Sequence, residues 1–146
     1  MSTDTSTSLR ISRVLRADRE AVFRAWTEAD KLKQWAAPEG FSVAAAEVDL
    51  TVGGRYRIQM QSADGEHHTA VGVYREIERP LRLCYTWQWE EGGHDAGETL
   101  VTVEFNDIGG STEIVLTHEL FPTSDAKEAH EQGWTSCLNR IETMFA

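Results

Sequence analysis

The last stretch of the chain, Asp125 to Ala146, constrains the fold most. Ala126, Ala129, Trp134, Cys137, Leu138, Ile141 and Phe145 recur there at spacings of three and four, so the sequence predicts a single amphipathic helix with a broad apolar stripe. Such a stripe needs a large apolar surface to cover. Nearly everything between Phe41 and His118 alternates with the two-residue period of strands, and an antiparallel sheet with one apolar face is the partner that pattern offers. The expected class is α+β, with a curved antiparallel sheet wrapped around a long C-terminal helix and a cavity between them.

A chain of 146 residues fits one domain, and a domain of that size buries roughly 68–70% of its unfolded surface, enough for a core without staples. The expected division is a disordered Ser/Thr-rich tail at 1–8 and one domain at 9–146. A net charge of −10 repels polyanions and argues against a nucleic-acid partner or an anionic membrane. Met1 to Ser8 has no basic n-region and no apolar h-region, and no apolar run approaches a membrane span. Cys84 and Cys137 are far apart and form no CxxC pair, so neither a disulfide framework nor a zinc site is expected. The expectation is a cytoplasmic protein, monomer or homodimer, with no metal and no cofactor.

Leu9 to Arg16 has the length and branched residues of a strand. Asp18 is a helix N-cap candidate, and Val22, Ala25, Trp26 and Ala29 form the stripe behind it. A second short helix is predicted from about Asp30 to Trp35, ended by Pro38 and Gly40. Strands follow at 41–50, 55–61, 68–78 and 81–90, with Gly53-Gly54 and Asp64-Gly65 as turns and Gly72 as a bulge or a close backbone approach. In the last of these, Leu81, Leu83, Tyr85, Trp87 and Trp89 alternate with Arg82, Cys84, Thr86, Gln88 and Glu90, which predicts a wall of the core with Cys84 on the outside. A loop runs from Gly92 to Gly97. Val101, Val103 and Phe105 then mark one strand, and Thr112, Ile114, Leu116 and His118 share a face of the next. Ser124 or Asp125 is the expected cap of the terminal helix.

The pieces "FRAWTEADKLKQW", "PEGF…EVDLTVGGRYR", "GVYREIERPLRLCYTW" and "HEQGWTSCLNRI" resemble, in that order, the homologues of the activator of the heat-shock protein 90 ATPase. That family belongs to the START and polyketide-cyclase-like (SRPBCC) superfamily. The resemblance covers nearly all of the chain after the tail. It implies a helix-grip fold with two short helices after the first strand, a hydrophobic cavity, and a binding or partner-contacting role. Where members often have paired aromatics this chain has Trp35-Ala36, which implies a different cavity entrance.

The residues that can carry chemistry are few. His118 falls on an otherwise apolar strand face, where a neutral imidazole can orient a ligand or exchange protons near neutral pH; a satisfied structural histidine fits the same position. His130 and Trp134 lie one helical turn apart, with Gly133 between them to permit close backbone approach. Tyr85, Trp87 and Trp89 offer flat surfaces with a polar edge, suited to an aromatic ligand or simply to a core. Arg55 and Arg57 alternate outward, and Glu47 with Asp49 falls on the solvated face. His67-His68 is assigned to a hairpin, without the third ligand of a metal site. The leading expectation is a noncatalytic domain that binds a small apolar or aromatic molecule. Its candidate ligand-binding residues are Trp35, Tyr56, Tyr74, Tyr85, Trp87, His118, Trp134 and Leu138. One alternative is a chaperone-associated or stress-response partner-binding protein. The other is a cyclase- or hydrolase-type enzyme using His118 with a cavity tyrosine.

Overall fold

Period-two patterning turns into seven strands and the three- and four-residue spacings into three helices among residues 7–91 and 97–146, which the computed structural model describes. The order is β1 (Leu9–Leu15), α1 (Arg19–Thr27), α2 (Ala29–Trp35), β2 (Phe41–Val48), β3 (Arg55–Ser62), β4 (His67–Glu78), β5 (Arg82–Trp89), β6 (Thr99–Asp107), β7 (Thr112–Glu119) and α3 (Ser124–Met144). The strands form one curled antiparallel sheet in the order β1-β7-β6-β5-β4-β3-β2. The first strand therefore pairs with the last, with Leu9 opposite His118. The α1–α2 excursion carries the chain from one edge of the sheet to the other, and α3 returns across the concave face, giving the helix-grip arrangement.

Local chemistry accounts for most element ends. The Asp18 carboxylate accepts the Ala21 N–H at 2.8 Å and caps α1, which buries Val22, Phe23, Ala25 and Trp26. Ala29, expected on that stripe, instead opens α2. Thr123, not Ser124 or Asp125, caps α3 by accepting the Ala126 N–H at 3.1 Å, because its extended backbone (φ −141°) aims the hydroxyl back into the first turn. At about 1.5 Å per residue the 21 residues of α3 span roughly 30 Å. Burial is concentrated in its second half, at Trp134, Cys137, Leu138 and Ile141; Ala129, on the same predicted stripe, is exposed.

Two expectations for β5 are corrected. Leu81 is 48% exposed rather than inward, because it belongs to the turn after Pro80 and its N–H closes that turn on the Glu78 carbonyl. Cys84 is buried, not a surface thiol. It lies on the outer face of the sheet, but Thr102 covers it with its hydroxyl 3.6 Å from the sulfur. The neighbouring Arg82–Glu76 ion pair, at 3.4 Å, flanks the same spot. Gly72 proves to be the close approach rather than the bulge, which falls between Tyr74 and Glu76. Of the expected tail and loop, residues 1–6 and 92–96 lie outside the described residues; the Thr7 carbonyl accepts the Phe121 N–H at 3.0 Å. No helix among the described residues is long and apolar enough to cross a membrane.

Candidate functional site

Alternation places Tyr56, Ile58 and Met60 of β3 on the concave face with Tyr74 of β4 and Tyr85, Trp87 and Trp89 of β5. Opposite them lie Trp26 of α1, Leu32 and Trp35 of α2, and Ala129, His130, Gly133, Trp134 and Cys137 of α3. Together they enclose an apolar cavity of about 240 Å³. Among the described residues no Asp, Glu, Lys or Arg lines it, and all five tryptophans of the chain do. Half-buried Phe41, His68, Trp89 and His130 and exposed Ala129 mark its solvent end.

The buried end is a triangle of tyrosines. Tyr56, Tyr74 and Tyr85 stand with ring centroids 5.2 to 6.0 Å apart. Burial raises all three hydroxyl pKa values, reinforced at Tyr56 by its two tyrosine neighbours and at Tyr74 by Asp49. They are therefore neutral donors at physiological pH. Tyr56 donates to the Thr86 carbonyl at 2.5 Å. The Tyr85 oxygen accepts the Trp26 indole N–H at 3.1 Å, and no described residue accepts Tyr85's own proton.

Indole hydrogen bonds show how saturated the walls are. Trp35 donates to the Ala25 carbonyl at 2.9 Å, Trp89 to His130 Nε2 at 3.0 Å, and Trp134 to His118 Nδ1 at 3.0 Å. Of the five indoles, that of Trp87 alone is buried with no partner among the described residues. Such an orphaned donor costs about 1–3 kcal/mol.

His118 stands behind this wall rather than in it. Because Trp134 donates to Nδ1, the proton of a neutral ring sits on Nε2. That Nε2–H donates to the Thr99 hydroxyl at 2.6 Å, and the hydroxyl in turn donates to the Trp87 carbonyl at 2.9 Å. Burial, then His130, pushes the His118 pKa well below the usual histidine range. With no exposure and both nitrogens engaged, it matches the satisfied structural histidine that this position also allows, and it does not line the cavity.

Residues 16–146 match the family described as Activator of Hsp90 ATPase homolog 1-like protein. The chain belongs to this family. Among solved structures, a protein of Chromobacterium violaceum is 27% identical with a TM-score of 0.87, over 95% of this chain and 96% of that one. The AHSA1 protein of Silicibacter pomeroyi is also 27% identical, with a TM-score of 0.82 over 94% and 96% of the two chains. An HSP90 activator from Plasmodium falciparum is 27% identical with a TM-score of 0.73, over 94% and 95%. Among curated proteins none matches.

Of the candidate ligand-binding residues, this member of the activator-homologue family brings Trp35, Tyr56, Tyr74, Tyr85, Trp87 and Trp134 to the cavity. It leaves out His118 and also Leu138, which is wholly buried in the core. Leu138 lies one helical turn beyond Trp134 on a similar face, where α3 packs into the core rather than against the cavity. The cavity is also lined by Trp26, Phe41, Ile58, Met60 and His68, which the sequence pattern did not single out, and by Trp89, which it offered beside Tyr85 and Trp87 as flat surface without counting it among the candidate ligand-binding residues. For Ile58, Met60 and Trp89 the signal was present, since they share the strand faces of Tyr56 and Trp87. His68, assigned to a hairpin, packs against Phe41 and Trp89 with ring centroids at 5.3 and 6.2 Å. Gly133 does not serve close approach. A Cβ there would meet no atom within 4 Å outside the helix's own turns, so the glycine leaves space in the cavity.

Proposed function

We propose that this chain is a noncatalytic binding domain that holds a small, mainly apolar molecule between α3 and the sheet. The observation that carries the reading is a cavity of about 240 Å³ walled by aromatic rings and, among the described residues, free of carboxylates and fixed cations. An enzyme of the cyclase or hydrolase sort needs convergent acid and base groups. Here the tyrosines hold their protons and His118 is sealed off. A cytoplasmic setting is part of the proposal, since free thiols such as Cys84 and Cys137 persist in a reducing compartment.

Native mass spectrometry of the purified protein, followed by fluorescence titration with naphthalene and related hydrocarbons, tests the reading. Every tryptophan lines the cavity, so occupancy should change their emission at micromolar concentration, about −8 kcal/mol of binding. Loss of that response in Trp87→Ala would support the site. Absence of any retained molecule together with no response to any hydrocarbon would overturn it.

One observation favours a second reading, a chaperone-associated or stress-response partner protein: the similar Plasmodium falciparum structure is that of an HSP90 activator. The discriminating measurement is the ATPase rate of purified heat-shock protein 90 with and without this chain. A saturable rise that survives Trp87→Ala would place the activity on the surface and make the cavity incidental.

A further inference from the structure

The hydrogen-bond inventory of the cavity is unbalanced in one direction. Tyr85 uses its oxygen as an acceptor for Trp26 and keeps a proton with no described acceptor. Two residues along the same strand, the Trp87 indole N–H is buried with no partner among the described residues. Trp87 is 94% buried, being 6% exposed. An indole nitrogen can only donate, so a second protein donor cannot satisfy it. The other four indoles are each paired, which makes Trp87 the exception among the indoles of the wall.

The same lining excludes a charged ligand. His130 has Nε2 engaged by Trp89 and Nδ1 by the Ala126 carbonyl. His68 is held against Glu66 at 2.6 Å. A carboxylate would be desolvated without an available cation, which is costly. Size narrows the class further: a dry cavity of about 150 Å³ accepts a single benzene ring, so about 240 Å³ suits one or two fused rings.

We propose that the cavity takes a neutral aromatic carbonyl compound of one or two rings, with its oxygen bound by the Tyr85 hydroxyl or the Trp87 indole N–H. This rests on the binding reading above and specifies its ligand class. The decisive probes are 2-acetylnaphthalene and 2-isopropenylnaphthalene, which share a shape but exchange a carbonyl oxygen for a methylene, compared by equilibrium dialysis. A purely apolar cavity would favour the alkene strongly, because the ketone gives up hydrogen bonds to water on entering. The expected result is that the ketone binds at least as tightly as the alkene, and 2-naphthoate at least tenfold more weakly than the ketone.

Tyr85→Phe and Trp87→Phe are then measured with both probes. At least one of them should lower ketone affinity about tenfold while alkene affinity stays within about twofold, a ketone-specific loss of about 1.4 kcal/mol. Equal losses for both probes in both variants, or a wild-type protein that prefers the alkene or binds the naphthoate as well as the ketone, would overturn the proposal. If a variant does not fold, the infrared carbonyl stretch of ketone bound to the unaltered protein decides. A band below its position in hexane supports the bond, and an unshifted band removes it. Should neither probe bind at all, the binding reading itself fails, a result distinct from alkene binding without ketone preference.

Discussion

At Gly72 a hydrogen atom stands where any side chain would collide. An added Cβ would lie 1.9 Å from the Thr86 carbonyl oxygen and 2.7 Å from the Tyr56 ring. The obstructing oxygen is backbone and also receives the Tyr56 hydroxyl, so neither neighbour can yield without moving β5 or the tyrosine triangle. Gly72→Ala is expected to cost at least about 1–3 kcal/mol, the usual range for overpacking, read as a lower urea midpoint with an unchanged slope. An unchanged midpoint would mean that β4 and β5 are not so closely apposed. Sequence alone marked Gly72 as a bulge or a close approach and could not choose, because the choice depends on which residue of β5 lies opposite. Cys84 shows the same limit. Its outward direction followed from alternation, whereas its burial depends on Thr102 of the next strand, which no local pattern reveals.

At the scale of the element, α3 was legible as an amphipathic helix but its two halves do different work. Leu138 and Ile141 anchor the core, Ala129, His130 and Gly133 stand at the cavity, and Trp134 and Cys137 between them are buried in the core and line the cavity as well. A glycine inside a helix costs roughly 0.5–1 kcal/mol relative to alanine, and Gly133 accepts that cost with open space beside it. Gly133→Ala is therefore expected to stabilise the protein by about 0.5–1 kcal/mol, seen as a higher melting temperature. Gly133→Leu is expected to keep the fold and abolish naphthalene binding by filling the cavity, as equilibrium dialysis would show. A Gly133→Leu protein that still binds would move the ligand space elsewhere. Spacing put the helix stripe on the page. It could not divide the stripe between core and cavity, because that division depends on how far the curled sheet stands from each helical turn.

Across the whole molecule, two reciprocal indole–imidazole bonds join α3 to the sheet. Trp134 of the helix donates to His118 of β7, and Trp89 of β5 donates to His130 of the helix. The order of elements and the concave face were readable from pattern and resemblance, but these cross-links were not, since they join residues 16 and 41 positions apart. They have a consequence for pH. His118 accepts at Nδ1 and is buried, and its folded pKa lies well below the ordinary 6.5. Below about pH 6.5 the unfolded chain gains a proton at this site and the folded protein does not, so acid favours unfolding. The stabilisation is complete above pH 6.5 and is lost as pH falls, by up to about 1.4 kcal/mol per pH unit until the folded pKa is reached. The carboxylates with depressed pKa values, Glu20, Asp64, Glu90 and Glu91, lose their charge only at more acid pH and leave this window to histidine. Urea unfolding at about pH 7.5 and about pH 5.5 should then differ by about 1 kcal/mol or more. His118→Asn, whose amide keeps one donor and one acceptor, should flatten the dependence even if it lowers stability at both values. A slope that persists undiminished in His118→Asn would place the proton uptake at another group and remove His118 as its source.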